Sequence, residues 1–247
     1  MSRRRFFVPP EQVCRGIAQL QPDQAHHLRH VLRLRAGTEV EIFDGTGRDY
    51  TGVIEFGGGV ARIVALHELE VRGCDGPILT LAVALIKSDR FELVLQKATE
   101  LGVDAFVPLL TRHCKARLPA LKIAPRLDRW KSIIREACKQ CRRSTIPEIR
   151  APLEFERWLD DDAYRGYERY LLHAEAPQPP LVPPPAGRII LCIGPEGGWH
   201  EAEVAAAEKG GWKIFRLGDR IMRAETAAIA AAALFRFGPA MFAAHGK

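Results

Sequence analysis

The spacing of apolar and polar residues changes character near residue 75 of the 247-residue chain. Before that point the period is two. Glu39–Phe43, Asp49–Phe56 and Val60–Leu66 alternate or nearly so, and Asp44-Gly45 and Gly57-Gly58-Gly59 supply turns between them. Arg3 to Val8 reads as a further strand, basic and aromatic, stopped by Pro9-Pro10, and Asp23 is placed to cap a short helix running to about Leu32. Short strands at this spacing predict a small β-barrel. Beyond residue 75 the strands become continuously apolar, as in a parallel sheet buried on both faces. Ile78–Ile86 is such a run. Phe91–Leu101 has helical spacing and stops at Gly102, and Ala105–Leu110 is the next strand, which completes a βαβ unit. A long basic helix over Leu127–Cys141, a short helix at Leu153–Leu159 and a strand at Tyr170–His173 follow. The boundary falls in Val71–Pro77, giving domains of residues 1–72 and 73–247. Gln178–Gly187 carries five prolines and reads as a linker.

Near the C-terminus two strands each end in glycine. Ile189–Ile193 is a buried strand that runs into Gly194-Pro195-Glu196-Gly197-Gly198 and then a helix with Glu201 and Glu203 near its start. Lys213–Leu217 is a second strand, ended by Gly218, and a loop over Asp219–Ala224 leads into an Ala-rich helix. Taken singly these are ordinary strand-to-helix turns. In tandem, with Arg223 and Glu225 beside the second, they place two bare backbone segments where ligands of α/β sheets bind, beyond the carboxyl ends of strands.

Charge sharpens this picture. The net charge is +6, and residues 112–143 hold 11 basic and 2 acidic side chains, a density that suits a polyanion. Six scattered cysteines read as reduced thiols. Cys138-Lys-Gln-Cys141 lacks the second pair that zinc requires, so no metal site is expected. The spacing is not the dinucleotide fingerprint, and no Gly-Lys-Ser/Thr is present for a nucleotide hydrolase. The basic N-terminus lacks the apolar core of a signal peptide and no stretch is long enough to span a bilayer, so the cytoplasm is the expected location.

Ile193-Gly194-Pro195-Glu196-Gly197-Gly198, then Leu217-Gly218, then Ile221-Met222-Arg223-Ala224-Glu225-Thr226-Ala227 resemble the knotted SPOUT methyltransferases. Within them the match is most similar to the RsmE family, which methylates N3 of a uridine in small-subunit ribosomal RNA. Gln96-Lys97-Ala98-Thr99-Glu100-Leu101-Gly102, Glu136-Ala137-Cys138-Lys139-Gln140-Cys141-Arg142-Arg143 and HLRHVLRLRAGTEVEIFDGTG resemble further runs of that family. Where the family usually has Ser-Glu-Arg, this chain has Thr111-Arg112-His113. The resemblance implies an α/β fold: a C-terminal SPOUT domain with a parallel sheet and trefoil knot, plus an N-terminal PUA-like β-barrel that binds RNA. It implies S-adenosylmethionine as cofactor, 16S ribosomal RNA within the small subunit as partner, and a homodimer. Carried over by motif, the cofactor contacts are Leu172 and His173, then Ile193, Gly194, Glu196 and Gly198, then Leu217, Gly218 and Met222. Candidate RNA contacts are Arg3 and Arg5 beside Phe6 and Phe7, Arg29 and Arg33, Arg112, and Gln140 with Arg143.

Uridine N3–H is a weak acid, so transfer to N3 requires removal of that proton or stabilisation of the anion. Arg223 is the candidate for stabilising it, because arginine stays charged. Glu225 is the candidate for orienting Arg223 or accepting the proton, and Glu196 is placed to cap backbone N–H groups. Two other readings stay open: ribose 2′-O-methylation by another SPOUT enzyme, and rRNA binding without catalysis. The N-terminal barrel weighs against the first; the intact glycine loop and R-A-E-T-A run weigh against the second.

Overall fold

A computed structural model describes residues 4–57, 60–70, 76–115, 119–176, 183–184 and 186–244. Arg3, most of the expected boundary at 71–77 and most of the proline-rich linker lie outside the described residues. The chain forms two compact units. One is Met1–Gly73 together with Cys138–Ile146; the other is Cys74–Ala137 with Pro147–Lys247.

The first unit contains β1 (Arg5–Phe7), β2 (Val13–Cys14), β3 (Ile17–Gln19), α1 (Pro22–His26) continuing as a π turn over His27–Val31, β4 (Glu39–Phe43), β5 (Asp49–Gly57) and β6 (Val60–Leu69). The strands pair in the order β1-β4-β5-β6-β3-β2, parallel for β1 on β4 and antiparallel elsewhere. Among the described residues the six strands form one sheet in that order. Alternation places Val40, Ile42 and Ile63 in its core, and Val8 and Leu28, from outside the strands, are fully buried with them. The helix begins at Pro22, one residue before Asp23, and the Gln24 side chain accepts from Gln21 N at 3.1 Å. Pro22 suits the first helical position, where its missing N–H costs nothing.

Residues 138–146 are held to this sheet by specific contacts. Ile146 N donates to Gly45 O at 3.0 Å and Gly47 N to Ser144 O at 3.2 Å. Arg142 pairs with Glu41. Arg5 is part of the same arrangement and does not match its expected RNA role. Its side chain is 4% exposed, lies over the Phe43 ring, and donates to Asp49 Oδ1 at 2.6 Å and Ser144 Oγ at 3.3 Å. A guanidinium so enclosed and paired is not presented to a phosphate.

The second unit runs β7 (Ile78–Ala84), α2 (Ser88–Glu100), β8 (Ala105–Leu110), α3 (Ile123–Cys141, whose last turn belongs to the first unit), β9 (Glu148–Ile149), β10 (Leu153–Glu154), α4 (Phe155–Leu159), β11 (Glu168–Leu172), β12 (Arg188–Ile193), α5 (Glu201–Lys209), β13 (Lys213–Phe215) and α6 (Ala224–Ala244). All strand pairs are parallel, in the order β10-β8-β7-β12-β11-β13, with β9 on β8. The apolar runs become its centre: Leu79, Leu81, Leu171, Ile190 and Leu191 are fully buried. Burial of each such side chain contributes roughly 1.5–3 kcal/mol. The residues expected as one helix at Leu153–Leu159 divide into β10 and α4. The strand expected over Lys213–Leu217 stops at Phe215. β13 pairs with β11, whose last paired residue is Leu172, so Arg216 and Leu217 have no partner strand and turn away.

Candidate active site

Register sets the site. Leu172 pairs with Ile193 and with Phe215, and Ile193 pairs with Val83. Four strands therefore deliver their carboxyl ends to one level, and the segments that leave them share a rim. At that rim is a cavity of about 800 Å³, a size that suits a nucleoside-bearing small molecule. Its walls include every expected cofactor contact: Leu172, His173, Ile193, Gly194, Glu196, Gly198, Leu217, Gly218 and Met222. Arg223 lines it as well.

The first wall is the bend Gly194–Gly198. Gly198 N donates to Pro195 O at 3.0 Å, closing a tight turn, and Gly198 itself takes φ +73°, a conformation in which glycine alone is unstrained. Trp199 lies under the bend, 8% exposed, packed on Phe155 at 4.9 Å between ring centroids, and donates Nε1–H to Leu172 O at 2.9 Å. A Cβ on Gly194 would sit 2.8 Å from that Nε1, so only a bare backbone fits against the indole. His113 Nδ1 donates to Gly198 O at 3.2 Å, so the histidine at the place of the family's usual arginine braces the glycine loop. Glu203, 1% exposed, ties the start of α5 to the end of β8. One oxygen accepts from His200 N and the other from Arg112 N, both at 2.9 Å. Cys192, in the strand feeding the bend, is fully buried, and that burial pushes its thiol well above the ordinary range, with the Glu203 charge adding to the effect.

The second wall is Arg216–Arg223. Gly218 takes φ +72°, Arg216 pairs with Asp219 at 3.3 Å, and Ile221 is 90% exposed. Arg223 precedes α6, its carbonyl accepting from Ala227 N at 2.9 Å.

Of the two roles expected of Glu225, orienting Arg223 or accepting the proton, the first has no ion pair behind it among the described residues. The recorded partner of Glu225 is Arg90 of α2, with Nε 3.7 Å from Glu225 Oε1. Arg90 Nη1 also lies 3.8 Å from Glu196 Oε1, and Glu196 accepts from Lys87 N at 3.4 Å, the capping role expected of it. Glu225 is 8% exposed, and its Oε2 is buried without a hydrogen-bond partner. An acceptor left so costs about 1–3 kcal/mol until a donor meets it.

The described RNA candidates are not among the residues that line this cavity. Arg29 and Arg33 are exposed, with Arg29 over the Phe56 ring at 4.6 Å. Gln140 is exposed, and Arg143 donates to Thr145 Oγ1 at 3.1 Å. Arg112 donates to Glu156 at 3.1 Å. Cys138 of the lone CxxC is buried, which pushes its thiol up to about 12. Sequence reasoning missed Arg90 and Trp199. The signal for Arg90 is its place three residues after Lys87, the end of an apolar strand; that for Trp199 is an aromatic directly after the glycines.

The cavity suits S-adenosylmethionine: bare glycines to admit a flat ring and ribose, apolar Leu172, Ile193 and Leu217, and carboxylates for a cation. Comparison with known proteins agrees. A family model described as an RNA methyltransferase domain matches residues 75–236, and one described as an RNA methyltransferase PUA domain matches residues 20–59. The chain is 34% identical over 232 residues to the ribosomal RNA small subunit methyltransferase E of Synechocystis, covering 90% of this chain and 74% of that protein. It is 32% identical over 233 residues to the protein of that name from Mycobacterium tuberculosis, covering 92% and 88%. The solved ribosomal RNA small subunit methyltransferase E of Neisseria gonorrhoeae, bound to S-adenosylmethionine, superposes with a TM-score of 0.86 at 30% identity over 96% of this chain and 98% of that one. A Legionella pneumophila structure described as a methyltransferase with bound S-adenosylmethionine gives 0.86 at 32% identity, with the same coverage.

Proposed function

The chain belongs to the ribosomal RNA small subunit methyltransferase E family, and from that premise we propose that it transfers a methyl group from S-adenosylmethionine to N3 of a uridine in 16S ribosomal RNA. The observation that carries this reading is the rim itself: two glycine bends, brought level by strand register, bound one cavity that also holds Arg223.

When bound, the cofactor supplies an electrophilic methyl group on a sulfonium. Backbone at Leu172, Ile193, Gly194, Gly198, Leu217 and Gly218 would hold it, with His173, Glu196 and Met222 completing the walls. The protein must position the acceptor and provide its nitrogen in the right protonation state. With a deficit of about two pK units at neutral pH, reaching the N3 anion costs roughly 3 kcal/mol. Arg223 stabilises the charge that develops on N3 and the flanking oxygens. Glu225, with an unmet acceptor at Oε2, takes the proton.

In this reading residues 73–247 form a SPOUT domain whose C-terminal segment is threaded as a trefoil knot, and two copies associate as a homodimer. Residues 1–72 are an RNA-binding accessory. Arg29 stacked on Phe56, with Arg33, Gln140 and Arg143, contacts rRNA within the small subunit in the cytoplasm. No helix among the described residues is long and apolar enough to cross a membrane. The test is to incubate the protein with labelled S-adenosylmethionine and small subunits from a deletion strain, then map the modified base. Label at a uridine N3 is expected. Label on a ribose, or none, rejects the assignment. Arg223→Ala should abolish transfer while keeping cofactor binding in calorimetry; unchanged turnover would remove Arg223 from the mechanism.

A further inference from the structure

We infer that Arg90 is a positioning residue of this site: its guanidinium joins Glu225 to Glu196 and holds Glu225 so that Oε2 is left to accept the proton of the acceptor base. The inference rests on the methyl-transfer reading above and assigns a residue that neither the glycine motifs nor the R-A-E-T-A run contains.

Three observations carry it. First, Arg90 reaches the rim by register. β7 is level with β12 through Val83 and Ile193, and Arg90 stands in the first turn of the helix that leaves β7, lining the cavity. Second, it faces two carboxylates from separate segments, Glu196 at 3.8 Å and Glu225 at 3.7 Å. Both separations are ion-pair distances longer than hydrogen bonds, so the coupling is one of charge. Third, the Glu225 side chain is 10% exposed, and a carboxylate so enclosed stays in place only beside a compensating charge. Arg90 is the cation recorded within 4.0 Å of it among the described residues. Arg216 is engaged by Asp219, and Arg223 faces the cavity. Two arginines thus divide the work: Arg223 meets the acceptor, and Arg90 meets the carboxylate that takes the proton. Glu225 Oε1 is directed at Arg90, which leaves Oε2 as the buried oxygen without a partner.

The test is a double-substitution cycle. Wild type, Arg90→Ala, Arg90→Lys, Glu225→Gln and Arg90→Ala/Glu225→Gln are assayed for methyl transfer, and each is titrated with S-adenosylmethionine by calorimetry. Arg90→Ala should lower kcat about 30-fold with KM for the acceptor changed less than about threefold, the pattern of an interaction that matters in the transition state. Arg90→Lys, which keeps the charge, should recover to within about fivefold of wild type. The double substitution should be no worse than about threefold below Glu225→Gln alone, because the two residues act as one unit. Cofactor affinity of Arg90→Ala should stay within about fivefold of wild type. Multiplicative losses in the double variant overturn the inference. So do a wild-type kcat in Arg90→Ala, Arg90→Lys no better than Arg90→Ala, or a cofactor affinity weakened about 30-fold or more, which would make Arg90 a cofactor ligand. The cycle is read on whichever acceptor takes label from the wild type, small subunits or total RNA from the deletion strain. A wrong acceptor therefore shows itself in the wild type and a wrong role for Arg90 in the variants, while label in neither overturns both.

Discussion

The bend at Gly194–Gly198 is braced from several sides, and the bend at Arg216–Arg223 from few, although both leave strands that end at one level. Beneath the first lie the Trp199 indole bonded to Leu172 O, His113 bonded to Gly198 O, Lys87 N on Glu196, and Glu203 fastening the start of α5 to β8. The second has an ion pair whose acid, Asp219, is 84% exposed, and Ile221 stands almost wholly in solvent. A bend with buried hydrogen bonds beneath it opens only with the core, whereas one with few is free to adapt to what it meets. On the methyl-transfer reading, the first wall is the firmly held side of the site and the second the lightly held one.

Substitutions test this contrast from its strongest consequence to its weakest. Trp199→Ala removes a buried indole and its hydrogen bond, and should destabilise the fold by about 3–5 kcal/mol, read by denaturant unfolding. A loss below about 1 kcal/mol would mean the first bend is not held from beneath. Gly194→Ala forces a methyl group against the same indole and should cost about 1–3 kcal/mol. It should also weaken S-adenosylmethionine binding in calorimetry, and undiminished affinity would show that the backbone there does not line the ligand. His113→Ala removes one hydrogen bond to the loop and should cost about 0.5–1.5 kcal/mol in thermal unfolding. A neutral result would reduce His113 to a bystander. Ile221→Ala, on the second bend, should change stability by no more than about 0.5 kcal/mol in the isolated protein. A larger loss would show that this wall is held as firmly as the first.

The contrast also marks how far the sequence could be read. The glycine bends, the apolar strands feeding them and Arg223 at the cavity follow from local composition, because strand and turn preferences act over a few residues. Strand register is a long-range property. That Arg90 meets Glu225 depends on β7 lying beside β12, and no local pattern encodes that pairing. The same limit explains Arg5. Arginines beside phenylalanines read as a nucleic-acid contact until Asp49 and Ser144, far along the chain, are brought onto the guanidinium. Trp199 and His113 are visible as residue types, but their task is set by what lies over them. Residues 138–141 are the last turn of a helix whose spacing is unbroken, so nothing local announces that 138–146 belong with the first unit.

That last assignment has a consequence for biosynthesis. A polypeptide emerging from the ribosome holds all six N-terminal strands once residue 73 appears, but Ser144 and Ile146, which bond to Gly47 and Gly45, are not yet made. The first unit therefore gains its last hydrogen bonds only after β7, α2, β8 and α3 have been translated.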